Sequence, residues 1–201
     1  MITNIEYNNK EINEIVLENA LKMLERRKLI SSNLEELNIN NELESNNNIY
    51  ELKLLDESMC KINIINAKIT SIASGSQIDL FLSKNLDNYK ILIIRDFSKK
   101  VIKDILANYI NVEVFFIYEM MEDLPNKIFI PQHIKLEKDE LNELLSKFNE
   151  FDFGKIFLTD KMCRYYGGKV GDIFKIIRYS NKSGYNTYYR RVINSSWDIL
   201  F

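Results

Sequence analysis

Apolar residues at Ile12, Ile15, Val16, Ala20, Met23 and Leu24 recur at helical spacing, which predicts an amphipathic helix near the start of the chain. Ser32-x-x-Glu35 reads as a capping box opening a second short helix. The pattern then changes to short runs rich in β-branched residues at Tyr50–Leu55, Lys61–Ile65, Ile91–Ile94 and Val112–Tyr118. Helical patterns near 76–86 and 98–108 separate them, as in an α/β layer arrangement. The Asn-rich patches Asn38–Asn41 and Asn46–Asn48 read as polar loop.

Beyond Pro125 and Pro131 the pattern restarts. Leu141, Leu144, Leu145 and Phe148 mark one face of a helix, with Glu137, Asp139 and Glu140 near its positive end. An apolar run at Ile156–Leu158 follows, and Asp160 is placed to cap a short helix through Tyr166. Ile173–Tyr179 and Asn186–Ile193 read as two strands of a hairpin joined at S-N-K-S-G. The fold class expected is therefore mixed α+β and α/β. Helices with an α/β sheet (1–127) precede a small α+β domain with a hairpin sheet (128–201).

Charge and glycine content divide the chain at the same place. Residues 1–126 carry 14 basic and 20 acidic side chains, whereas residues 127–201 carry 13 and 9. Five of the six glycines lie in the last quarter. Over all 201 residues the net charge is −2, which gives the whole chain no polyanion-binding signature. With 46% hydrophobic residues there is enough apolar material for a substantial core. No apolar run approaches the ~20 residues of a membrane span and no apolar stretch follows a basic start, so a soluble intracellular protein is expected, without a membrane partner. Cys60 and Cys163 form no C-x-x-C and read as reduced, packed thiols, and His133 stands alone. Neither a metal site nor a cofactor is implied.

Several stretches could carry chemistry. Arg164–Arg178, R-Y-Y-G-G-K-V-G-D-I-F-K-I-I-R, has the glycines and Lys169 of a phosphate loop. Val170 stands where a hydroxyl would hold Mg²⁺, the upstream glycine is missing, and the segment that follows is strand-like. The better reading is a junction in which Gly167 and Gly168 end a helix with positive φ and Gly171 turns into a strand. Glu51 and Lys53 form an acid-x-Lys pair that, with Glu18 or Glu25, could build a Mg²⁺-dependent nuclease site, although such pairs are usually a solvated strand edge. Residues 154–201 carry nine basic and three acidic side chains interleaved with tyrosines. That mixture suits a protein interface, a nucleic-acid surface, or core tyrosines with solvated cationic edges.

The ordered signatures Pro131-Gln132-His133-Ile134, K-D-E-L-N-E-L-L, D-K-M-C-R-Y-Y-G-G-K-V-G-D-I-F-K-I-I-R and S-x-x-S-G-x-x-x-x-Y-R resemble the fifth subunit of nuclear-type multisubunit DNA-directed RNA polymerases. The C-terminal part is also similar to the small archaeal polymerase subunit that corresponds to it. The resemblance spans about residues 128–193, and residues 1–127 match in outline only. It implies a non-catalytic subunit whose C-terminal assembly domain docks on the largest polymerase subunit, among other polymerase subunits. It also implies an N-terminal jaw beside downstream duplex DNA. The docking positions implied are Arg164, Tyr165, Tyr166, Gly167, Gly168, Lys169, Gly171, Arg178, Tyr189 and Arg190. Cations available near DNA would be Arg26, Arg27, Lys28, Lys99 and Lys100. A long N-terminal part points to a eukaryotic nucleus, or to a large DNA virus with its polymerase in the host cytoplasm or virion. Three departures stand out. Lys161 follows Asp160 where the family has Pro, Arg191 replaces an aliphatic residue, and a tail at 194–201 continues past the usual end near Val192. Trp197, Ile199, Leu200 and Phe201 in that tail would be costly to leave exposed. The tail is expected to pack on its own chain or on a neighbouring subunit.

Overall fold

The structure, a computed structural model, describes residues 7–31, 40–44, 47–84, 86–182 and 184–196, with backbone alone for 40–44 and 47. The capping box at Ser32 and Glu35 and the apolar tail residues Trp197, Ile199, Leu200 and Phe201 lie outside the described residues. The chain separates into two compact units, Met1–Glu122 and Asp123–Phe201.

The first unit opens with α1 (Asn9–Arg26). Its capping box is closed by Asn8 and Glu11, and its buried stripe includes Val16, Ala20, Met23 and Leu24. Five strands follow: β1 (Asn40–Glu44), β2 (Asn47–Lys53), β3 (Met59–Ile69), β4 (Tyr89–Phe97) and β5 (Val112–Phe116). They form one sheet in sequence order, antiparallel from β1 to β3 and parallel from β3 to β5. The parallel crossovers carry α2 (Gln77–Ser83) and α3 (Lys99–Asn108), capped by Ser76 and Ser98. Ile91 to Ile94 on β4 are all fully buried, as a strand covered on both faces requires. The expected strand at Val112–Tyr118 stops at Phe116, where the Glu119 carboxylate accepts from the Phe116 amide (2.9 Å) and starts the one-turn α4 (Ile117–Met120).

Two strands occupy the Asn-rich patches read as loop. Asn40 and Asn41 lie in β1, Asn47 and Asn48 in β2, and the pair is zipped from Asn40↔Glu51 to Glu44↔Asn47. Backbone pairing with a neighbouring strand overrides the low strand propensity of Asn.

The second unit holds β6 (Gln132–Lys135), α5 (Lys138–Leu145), β7 (Gly154–Phe157), α6 (Lys161–Tyr165), β8 (Ile173–Ser180) and β9 (Gly184–Ile193). The expected hairpin is there as β8 and β9, but it is the centre of a four-stranded mixed sheet ordered β6-β8-β9-β7. Val192, Ile156, Phe174 and Ile176 on one face of this sheet form its core with Cys163 of α6. On α5 only Leu144 is buried. Phe148 lies beyond the helix end and is 57% exposed, so the expected four-residue apolar face is not a buried seam. Arg191 points away from the Val192 core, toward Glu150 (3.5 Å) and over the Phe151 ring (4.8 Å). A cation is accommodated there because Glu150 and the Phe151 ring partner it.

Candidate docking surface

The glycine-rich junction is built from its caps inward. Asp160 Oδ1 accepts from the amides of Met162 (2.8 Å) and Cys163 (3.2 Å), so α6 starts without the family's proline. The helix ends as the amides of Gly167 and Gly168 donate to the carbonyls of Arg164 (3.0 Å) and Cys163 (2.8 Å). Gly167 takes the left-handed conformation, φ +60°, as expected. Gly168 does not, and its reason for being glycine is space. A Cβ there would lie 2.6 Å from Cys163 Sγ and 3.0 Å from the Phe174 ring. Gly171, at φ +97°, makes the turn into β8.

Four amides of the loop are already engaged. Those of Gly167 and Gly168 close the helix, that of Lys169 donates to the Asp172 carboxylate (2.8 Å), and that of Gly171 donates to the Val192 carbonyl (3.0 Å). An anion would also meet Asp172, which lies 3.8 Å from Lys135 Nζ. The stretch is a helix-turn-strand junction.

The expected docking positions fall into four places. Arg164 (7% exposed), Tyr165 (2%) and Gly168 work inside the junction, with Tyr166 half-buried against Phe174. Lys169 and Gly171 are exposed on its loop. Arg178 and Arg190 come together on the sheet, where they line a groove of about 300 Å³ with Pro131, His133, Ile176 and Tyr188. Tyr189 lies on the opposite face, 5.6 Å from the Phe153 ring centroid.

Register explains the groove. His133 stands opposite Ile176 and Ile176 opposite Tyr188, so β6, β8 and β9 present the three side chains to one side. Arg178 and Arg190 flank them on the same face by period-two alternation. Phe174, Val192 and Ile156 continue that face beneath α6, so the groove is the uncovered end of the core face. Pro131, His133, Ile176 and Tyr188 were not among the expected docking positions. The alternation was readable in the sequence, but the pairing of β6 with β8 was not. His133 Nδ1 donates to the Pro131 carbonyl (2.7 Å), which fixes the ring. Burial holds the His133 pKa below its usual value despite that bond, so at neutral pH the groove's positive charge comes from the two arginines.

The cations of the first unit differ in what they do. Arg27 is a fold residue. Its side chain is 6% exposed, and its guanidinium donates to Glu113 (3.1 and 2.8 Å) and to the Tyr89 hydroxyl (2.5 Å). This fork ties the end of α1 to β4 and β5. Lys28 ends the helix in the left-handed region at φ +58°. Lys28, Lys99 and Lys100 are exposed and Arg26 is half-buried. The acid-x-Lys pair lies on the inner strand β2, where Glu51 is ion-paired with Lys61 of β3 and Lys53 lies 3.6 Å from Glu57. Glu18 is paired with Lys22 (2.6 Å). Among the described residues no group of three His, Cys, Asp or Glu side chains is placed to hold a metal, and no helix is long and apolar enough to cross a membrane.

The second unit is thus a small mixed sheet with exposed Arg178 and Arg190 at one end of its core face. Residues 123–192 match the family described as RNA polymerase Rpb5, C-terminal domain. Over 201 aligned residues the chain is 29% identical to "DNA-directed RNA polymerase subunit 5" of Acanthamoeba polyphaga mimivirus, covering 96% of this chain and 97% of that protein. It is 36% identical over 72 residues to "DNA-directed RNA polymerase subunit Rpo5" of Nitrosopumilus maritimus, 35% of this chain and 87% of the relative. It is 31% identical over 109 residues to "DNA-directed RNA polymerases I, II, and III subunit rpabc1" of Dictyostelium discoideum, 50% of this chain and 55% of the relative. The chain belongs to the RNA polymerase subunit 5 family.

Proposed function

We propose that this chain is a non-catalytic subunit of a multisubunit DNA-directed RNA polymerase, acting in DNA-templated transcription in a nucleus or in a virus-infected cell. Its second unit docks on the largest polymerase subunit, and its first unit is a jaw that flanks downstream duplex DNA. The observation that carries the reading is that the family match at 123–192 coincides with the unit whose sheet leaves the Arg178–Arg190 groove uncovered. An acidic or carbonyl-rich segment of the partner would satisfy the two guanidiniums, and Tyr188 and Ile176 would supply apolar contact. Reversing both charges, R178E with R190E, is expected to reduce co-purification with the largest subunit at least ~10-fold, the cost of putting two like charges against one partner site. Because both residues are exposed, the circular dichroism spectrum should not change. Undiminished co-purification would move the docking site elsewhere.

The jaw acts through phosphates and not through base edges. With 14 basic against 20 acidic side chains in residues 1–126, the isolated chain should bind duplex DNA negligibly near ~0.15 M salt. Within the assembled enzyme Arg26, Lys28, Lys99 and Lys100 are the DNA-proximal candidates, with Arg27 holding the helix end that presents the first two. Tight binding by the purified chain, with affinity falling steeply as salt rises, would favour a free-standing nucleic-acid-binding module instead.

A further inference from the structure

The groove on the sheet of the second unit holds one titratable ring among fixed positive charges. Its lining side chains are Pro131, His133, Ile176, Arg178, Tyr188 and Arg190, and none of them is an acid. His133, Ile176 and Tyr188 stand at one level across β6, β8 and β9. Arg178 and Arg190 lie one level to either side, each about 7 Å along its strand and in opposite directions. A group seated over Ile176 therefore lies between the two guanidiniums and beside the His133 ring.

The protonation of this ring is set by its surroundings. A carbonyl can only accept, so the Pro131 carbonyl, 2.7 Å away, holds the proton of the neutral ring on Nδ1. Nε2 then carries the lone pair and is the atom where a second proton adds. Charged groups come from the elements packed around the ring. Arg190 of β9 opposes that second proton, and Asp160, at the cap of α6, favours it. The Asp160 carboxylate is already engaged by the amides of Met162 and Cys163. Arg178 of β8 adds a second cation to the groove, and Lys135 of β6 is turned to Asp172 (3.8 Å). Burial first, and Arg190 after it, keep the ring of the free chain neutral near pH 7, against the Pro131 bond and Asp160.

We propose that the groove takes an acidic segment of the partner subunit, and that His133 takes up a proton at Nε2 as that segment docks, so that acid tightens docking. This proposal rests on the docking reading. Guanidinium and protonated imidazole are donors only, and the lining residues supply no carboxylate to meet them, so carboxylates are the complementary occupant. A neutral carbonyl-rich segment would satisfy the arginines without changing the charge of the ring. An opposite charge within about 4–6 Å raises an imidazole pKa by about 1–3, enough to offset the further burial that docking brings. The complex then binds more protons than the free chain. Affinity should rise as pH falls through the raised pKa of the bound ring, and level off below the lowered pKa of the free one.

His133 is the single histidine of the chain, so its ring Cε1–H resonance titrates alone. In the free full chain the midpoint should lie below 6.5. The Kd for the purified largest polymerase subunit should fall about tenfold from pH 8 to pH 6. Calorimetry at pH 7 in buffers of different ionisation enthalpy should show net proton uptake on binding. H133N keeps a donor toward the Pro131 carbonyl and H133Q keeps a polar atom near Nε2, but neither side chain takes up a proton. Each should bind with an affinity that no longer follows pH, whatever its absolute value, and with less proton uptake than the wild type. A wild-type affinity that is flat from pH 8 to pH 6, docking that weakens in acid, or a pH dependence that both variants retain would overturn the proposal and leave the docking reading standing. No complex at any pH would overturn both. So would a ring pKa raised by an oligonucleotide and not by the largest subunit, which would make the groove a phosphate site.

Discussion

Cys163 and Gly168 are paired by volume. The thiol is fully buried, and its sulfur occupies the space a Cβ on residue 168 would need. G168A must push Cys163 or Phe174, neither of which has room, and should cost about 1–3 kcal/mol, read as a lower midpoint of urea unfolding. The sequence marked Gly168 as unusual but for the wrong cause, since crowding depends on a strand six residues further on. The two thiols are also chemically quiet. Burial raises the pKa of both Cys60 and Cys163 from 9.0 to about 12. The folded state therefore keeps them protonated while an unfolded chain would ionise, so their contribution to stability is lost as pH rises from 9 to 12. A thiol reagent at pH 8 should label neither site in the native protein and both on unfolding. Arg27 has a comparable structural role. R27A leaves Glu113 and Tyr89 facing an empty site and should destabilise by about 2–4 kcal/mol. Arg27 was expected among the cations available near DNA, and the sequence did not show that it turns inward, because Glu113 lies 86 positions away.

Among the elements, legibility followed local pattern. α1, α3 and the two-sided strand β4 announce themselves by periodicity or by an unbroken apolar run, and Asp160 caps α6 where its side chain suggested. β1 and β6 were illegible because a partner strand creates them. β1 is held by pairing with β2, and Gln132–Lys135 pairs with Phe174–Ile177 some forty residues later. The short α6 depends on its cap, since a helix this short has little intrinsic stability. D160A should therefore cost about 1 kcal/mol and loosen the junction behind it. Native hydrogen exchange should show faster exchange of the Gly167 and Gly168 amides, while β4 stays as protected as before.

At the scale of the whole molecule, the change in charge and glycine content along the chain falls near the division into the two compact units. The surface itself was less legible. Arg178 and Arg190 were named from the family resemblance, but their partners His133, Ile176 and Tyr188 emerged only from the register of three strands. The central claim is that this end of the sheet is a docking surface and not a catalytic or free nucleic-acid-binding site. The most direct test is covalent footprinting of the full chain, free and bound to the largest polymerase subunit, following His133 and Tyr188 modification. The account predicts that both are modified in the free chain and protected in the complex, while exposed Tyr118 of the first unit stays reactive. Protection confined to the first unit, or none at His133 and Tyr188 in a complex that forms, would contradict it.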